Sequence, residues 1–388
     1  MCLRWLSGHG MRVAAVPLVV TATLIGLSPG AASAATCVSW TGLQPPSPGS
    51  TINNLAGVAV ASSCRAWAVG YYYTGSAYQT LIARWNGSSW ARQPSPDPGD
   101  SNFLLGAAAT SAGNAWAVGD YATGAGVQTL TVRWNGAAWV QEPSPDPGSD
   151  SNVFNGVAAT SASNAWAVGR YLSGGTVFQT LIARWNGTAW TQVPSPNQGG
   201  SSQANELFGV AATSASNAWA VGYYYTGTAT QTLIERWNGT AWTQVPSPNP
   251  SSSGSILYGV AATSASNAWA VGSYDTGTAT QTLIAHWNGA TWKRLPSPNP
   301  SSSENDLRGV AAISTSNAWA VGRYATGAGY RTLTVRWNGT AWKKVPSPNL
   351  SSSNNALFGV DATSATNIWA VGQYSNGTAD QTLALHCC

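Results

Sequence analysis

Asp361, Glu235 and Glu142 stand where the matching positions of neighbouring segments carry Ala, Val or Leu, and displaced acids of this kind are the raw material of general acid–base chemistry. Asp361 is the one expected to reach a central channel, but a single acid is not a mechanism. Paired carboxylates for glycoside chemistry, drawn from different segments, stay open. Beyond the N-terminal segment the only histidines are His286 and His386, both in a column otherwise held by Arg and read as solvated strand positions. No Ser-His-Asp arrangement, metal-spaced His cluster or phosphate-binding loop can be drawn. Asp97, Asp100 and Asn102, with Asp146, Asp150 and Asn152, offer oxygen ligands at short spacing, yet the Gly and distal Glu of a calcium loop are missing. No catalytic residue, metal or cofactor is assigned.

Stacking is better supplied. Tyr71, Tyr73, Tyr78, Tyr223, Tyr225 and Tyr330 are expected on one rim of polar, uncharged loops. Aromatic faces with a few placed amides and hydroxyls form the usual small-ligand lining, so these tyrosines and Asp361 make the candidate ligand-binding set, and neutral glycans the candidate ligand. The plainer alternative is that Pro-Ser-Pro stiffens each linker while Ser and Asn solvate it.

The elements that must position these residues are repeats. The Trp of an AWAVG or IWAVG run recurs at Trp67, Trp116, Trp166, Trp219, Trp269, Trp319 and Trp369, at intervals of 49, 50, 53, 50, 50 and 50. A period near fifty residues matches propeller blades. Within one copy, GVAAT, AWAVGYY, QTLIERW and AWTQVP read as four short strands separated by polar or Gly-rich turns. The recurrent Asn-Gly after the third strand, as at Asn86-Gly87, predicts a tight hairpin with positive φ at both residues. The predicted fold is all-β, a seven-bladed β-propeller of four-stranded antiparallel blades. Of the 21 Trp, 20 fall in three columns, and core packing is their expected task, because a blade needs apolar residues on both faces. A Thr column from Thr80 to Thr382 is expected to make a repeated side-chain hydrogen bond.

The first 35 residues differ in kind. Arg4 and Arg12 flank the start of an apolar run over 13–27, and Ala32-Ser33-Ala34 offers a cleavage site, the layout of a secretory signal peptide. The domain expectation is therefore a signal over 1–35 and a propeller over 36–388, secreted and extracellular, with no membrane span after cleavage. Losing Arg4 and Arg12 leaves 15 basic against 13 acidic residues, too even a balance for nucleic acid or anionic lipid. A monomer is expected.

Four cysteines remain after cleavage, Cys37, Cys64, Cys387 and Cys388, and an even count in an exported chain reads as two disulfides. The last copy stops at QTLALHCC where others have QTLIARWN, and Cys37-Val-Ser-Trp40 aligns with Gly187-Thr-Ala-Trp190. Blade seven should thus be shared between residues 37–48 and 354–388, with Cys37 bridged to Cys387 or Cys388 and Cys64 taking the remaining cysteine.

The lines SxxNAWAVG and RWNGTAW resemble the repeats of BNR/Asp-box propellers, in particular the photosystem II assembly-factor type, and are similar in period to kelch propellers. The resemblance covers residues 37–388 and implies architecture. The Asp-box pattern Ser-x-Asp-x-Gly-x-Thr-Trp keeps only Gly187 and Trp190 here, so the sialidase-like chemistry of that fold group finds no positional support, and neither does a photosynthetic role. The functional expectation is a secreted, non-catalytic binding or interaction module, with polysaccharide or a cell-surface protein as partner. The alternative is a secreted glycan-active hydrolase or lyase.

Overall fold

The computed structural model describes residues 37, 39–199 and 202–388, which form seven four-stranded antiparallel sheets closed into a seven-bladed β-propeller. The signal-peptide expectation for residues 1–35 lies outside the described residues. Blade one runs outward from the axis through Asn53–Ser62, Arg65–Tyr73, Tyr78–Trp85 and Trp90–Gln93. Blade seven takes its inner three strands, Asn355–Ser364, Asn367–Ser375 and Asp380–Cys387, from the chain's end. Its outer strand, Thr41–Leu43, comes from near the start, with Thr41 opposite His386. Sharing one sheet between the two ends closes the ring and removes a free sheet edge. Among the described residues no helix is long and apolar enough to cross a membrane.

The blades are held together by tryptophan. Each WAVG Trp is fully buried and inserts between two Trp of the next blade. Trp67 meets Trp134 at 4.9 Å and Trp139 at 5.1 Å, and Trp369 meets Trp85 at 4.8 Å and Trp90 at 4.9 Å. Such aromatic pairs add about 0.5–1.5 kcal/mol beyond the area they bury. At the seam the second Trp is missing, and Trp319 instead packs on Trp40 at 5.2 Å within a cluster that contains Cys37 and Cys387. These two cysteines are disulfide-bonded, with Cα atoms 5.6 Å apart and 350 positions between them. Cys388, the expected partner of Cys64, is instead an exposed free thiol that lines the same cavity as Cys64.

Three local expectations are corrected. The Asn-Gly hairpin is a four-residue loop: Trp85 pairs with Trp90, Asn86 N–H donates to Ser89 O at 3.2 Å, and Gly87 has φ 101° while among the described residues no non-glycine residue has positive φ. Asn86 needs no left-handed backbone because its Oδ1 accepts the N–H of Ser88 at 2.9 Å and of Ser89 at 3.0 Å, an Asx turn. The Thr column bonds to the linkers, not between strands. Thr129 Oγ1 lies 2.7 Å from Ser144 Oγ, and Thr129 N–H donates to Asp146 Oδ1 at 2.7 Å. Asp97 does the same for Thr80 at 2.7 Å, and Asn197 for Thr180 at 2.8 Å, so these acids are occupied as linker anchors. The histidines are half-buried, not solvated. His286 and His386 stack on Trp269 and Trp369 at 4.1 and 4.0 Å and bond Asn267 and Asn367, as Arg133 does over Trp116 and to Asn114. Burial lowers the pKa of both rings.

Candidate functional site at the mouth of the axis

Every inner strand carries an extra residue near its start, as well as a second slip at its far end. Its ladder with the second strand slips between Leu55 and Gly57 in blade one, and at the same place in the other six. A β-bulge drops the extra residue out of the pairing and re-aims its side chain. The seven bulged residues are Ala56, Leu105, Asn155, Phe208, Tyr258, Arg308 and Phe358, and all of them line a single cavity of about 380 Å³ together with Asn54 and Tyr71. The bulge and the WAVG glycine are one device: a Cβ on Gly222 would lie 1.9 Å from the Glu206 carbonyl oxygen, so that column accepts no side chain.

Immediately below, the glycine after each bulge lets neighbouring inner strands approach closely around the axis. A Cβ on Gly106 would come within 3.0 Å of Gly156 Cα, and one on Gly359 within 3.2 Å of Gly57 Cα. The seven glycines and the residues that follow them line only about 130 Å³. The cavity is therefore a cup that narrows at the glycine ring, on the side of the propeller that carries the linkers and the Tyr/Gly/Thr turns.

Two charged groups brace the wall. Glu206 accepts hydrogen bonds from Arg170 at 2.7 Å, Asn155 at 3.0 Å and Tyr223 at 3.3 Å, and burial, with Glu206 beside it, pushes the Tyr223 hydroxyl up to about 12. Asp306 is bonded by Arg308 and Arg323, each at 3.2 Å, and Arg323 also reaches Glu304 at 3.3 Å. Asp120 differs: burial pushes its carboxyl up to about 7 against the pull of Arg170.

Of the sequence-predicted ligand residues, Tyr71 lines the cup. Tyr223 sits behind it, 5.9 Å from Phe208 ring to ring. Tyr78 packs beside Tyr71 at 5.8 Å and Phe103 at 5.0 Å, and Tyr73 packs on Tyr78 at 5.1 Å. Tyr225 is exposed, and its hydroxyl bonds Gly227 O in its own turn at 2.9 Å. Tyr330 donates to Glu304 at 2.6 Å under Arg323. Asp361 follows the glycine ring and faces away from the cup, accepting the N–H of Val60 at 2.7 Å and Ala362 at 2.8 Å. Burial raises it to about 6. The bulge column was overlooked, although a signal existed: beside invariant glycine, its seven copies hold six residue types.

A closed ring of seven such sheets has counterparts among solved structures. The likeness is one of fold. A structure described as YCF48 bound to D1 peptide superposes with a TM-score of 0.56 at 15% identity, covering 91% of this chain and 99% of that one. The WD40 β-propeller domain of Doa1 gives 0.54 at 9%, covering 91% and 96%. A polysaccharide lyase, the PL25 ulvan lyase bound to -[GlcA(1-4)Rha3S]-, gives 0.53 at 11%, covering 89% and 93%. No family model and no curated protein matches the chain.

Proposed function

We propose that this chain is an exported, non-catalytic propeller that binds neutral glycans in the cup at the mouth of its axis. One observation carries the reading: a column of the repeat that holds six residue types in seven copies converges on one cavity, whose wall combines Phe208, Tyr258, Phe358 and Tyr71 with the amides of Asn54 and Asn155. Aromatic faces suit the C–H side of a sugar ring, and the amides suit its hydroxyls. Glu206 and Asp306 beside the cup are already paired with Arg170, Arg308 and Arg323, which supports an uncharged ligand. Export and an extracellular site of action rest on the layout of residues 1–35, and the partner is polysaccharide, free or on a cell surface. A BNR-like or kelch-like character of the repeats belongs to the same proposal and rests on their period and the RWNGTAW line. Two propellers of this fold are described as bound to a saccharide and to a peptide.

A glycan-active hydrolase or lyase is the second reading, favoured by Asp120, whose carboxyl is pushed up to about 7 and so is poised to exchange a proton near neutrality. A glycan array with the mature protein, paired with a reducing-sugar assay, separates the two. Retention without product release, lost in Phe208→Ala/Phe358→Ala, is the expected result. Product release that disappears in Asp120→Asn establishes the second reading, and retention of no glycan overturns both.

A further inference from the structure

Six of the seven inner strands open with an asparagine that ties down the preceding linker: Asn53, Asn102, Asn152, Asn205, Asn305 and Asn355. In blade six Asn305 Oδ1 accepts Ser301 N–H at 2.8 Å, while Nδ2 donates to Ser301 O at 2.8 Å and to Thr280 O of the preceding blade at 3.2 Å. Asn53, Asn102 and Asn152 make the same crossing to Asp380, Tyr78 and Val127.

Blade five has Ser255 at this position. Ser255 is 1% exposed and its Oγ has no hydrogen-bond partner, a costly arrangement for a buried hydroxyl. The neighbouring Ser273 falls in a column that elsewhere holds Tyr, Asp, Arg or Gln. Both truncations border a cavity of about 310 Å³, whose wall includes the Thr230 that corresponds to Thr280, and which shares Tyr258 and Arg308 with the cup.

The other blades show what this space is shaped around: a planar amide with an acceptor on one side and an N–H on the other. Asp275, Glu304 and Asp306 outnumber Arg308 in the wall, a balance that favours a neutral guest over an anionic one. We propose that the side cavity receives the acetamido group of an N-acetylated hexosamine whose ring lies against Tyr258 in the cup. Ser255 Oγ donates to the acetamido oxygen, and the Thr230 carbonyl accepts its N–H. This rests on the cup being a glycan site and adds the class of sugar. A buried site that hydrogen-bonds an amide discriminates against an analogue that lacks it, since its own polar groups are then left unpaired.

The test is titration calorimetry of the mature protein with N-acetylglucosamine tetramer and with cellotetraose, in wild type and Ser255→Asn. This variant restores the residue of the other six blades, so it folds by the same rules while filling the cavity. Wild type should bind the acetylated tetramer at least about tenfold more tightly, and Ser255→Asn should erase that preference while leaving cellotetraose affinity unchanged. Equal affinities in wild type, or a preference that survives in Ser255→Asn, overturn the acetamido assignment alone. If neither tetramer binds wild type, the glycan reading of the cup falls with it.

Discussion

The guanidinium of Arg308 lies 4.1 Å from the centre of the Tyr258 ring, and both side chains face the cup. Asp306 holds that guanidinium at 3.2 and 3.3 Å, so the cation is fixed against the aromatic face. Stacking of this kind is worth about 0.5–2 kcal/mol, and an anchored ring binds a ligand with less ordering cost. Arg308→Ala is expected to weaken glycan binding about tenfold by titration calorimetry, and Arg308→Lys to recover only part of it, because an ammonium neither lies flat nor forks onto a carboxylate. Unchanged affinity in Arg308→Ala would remove Tyr258 from the site.

Glu235 is wholly buried in the third strand of blade four, and neither carboxyl oxygen has a hydrogen-bond partner. Burial raises its pKa well above the ordinary carboxylate range. A group whose folded pKa exceeds its unfolded one weakens the fold as pH rises past the unfolded value. Glu235→Val, which follows the apolar pattern of the column, should therefore raise stability by about 1–3 kcal/mol at pH 7. Urea midpoints should show little gain near pH 4 and a growing gain above it, and a gain independent of pH would show that the carboxyl is not the cause.

Cys37 and Cys387 join the segment that leads into the outer strand to the third strand of blade seven, across 350 positions. Closing so long a loop constrains the unfolded chain by on the order of 5 kcal/mol. Cys37→Ser, or wild type under reducing conditions, should unfold at markedly lower temperature, with the seam blade losing hydrogen-exchange protection before the others. Equal midpoints with and without reductant would show that Trp40 and the strand pairing alone hold the ring closed.

Much of this architecture is legible in one dimension, because each repeat unit is local. Strand alternation, the spacing of Trp67 through Trp369 and the truncated last copy specify blade number, buried faces and the shared sheet. The cup was not legible, because a bulge is a property of the register between two strands and not of either alone. Phe208 and Tyr258 read as ordinary strand residues until the slip before Gly209 and Gly259 turns them to the axis. The partners of rim tyrosines such as Tyr225 and Tyr330 were hidden for the same reason: sequence shows an aromatic near a turn, but not that its hydroxyl bonds Gly227 or Glu304.

By itself, the sequence determined a wheel of seven sheets, since burying both faces of a fifty-residue repeat leaves few other solutions. Tertiary structure decided which side chains meet. Cys387 bonds Cys37 and Cys388 does not, because neighbours along a strand point to opposite faces and only Cys387 is turned into the core. Likewise, seven residues about fifty positions apart line one cavity only when ring closure brings every bulge to the same axis.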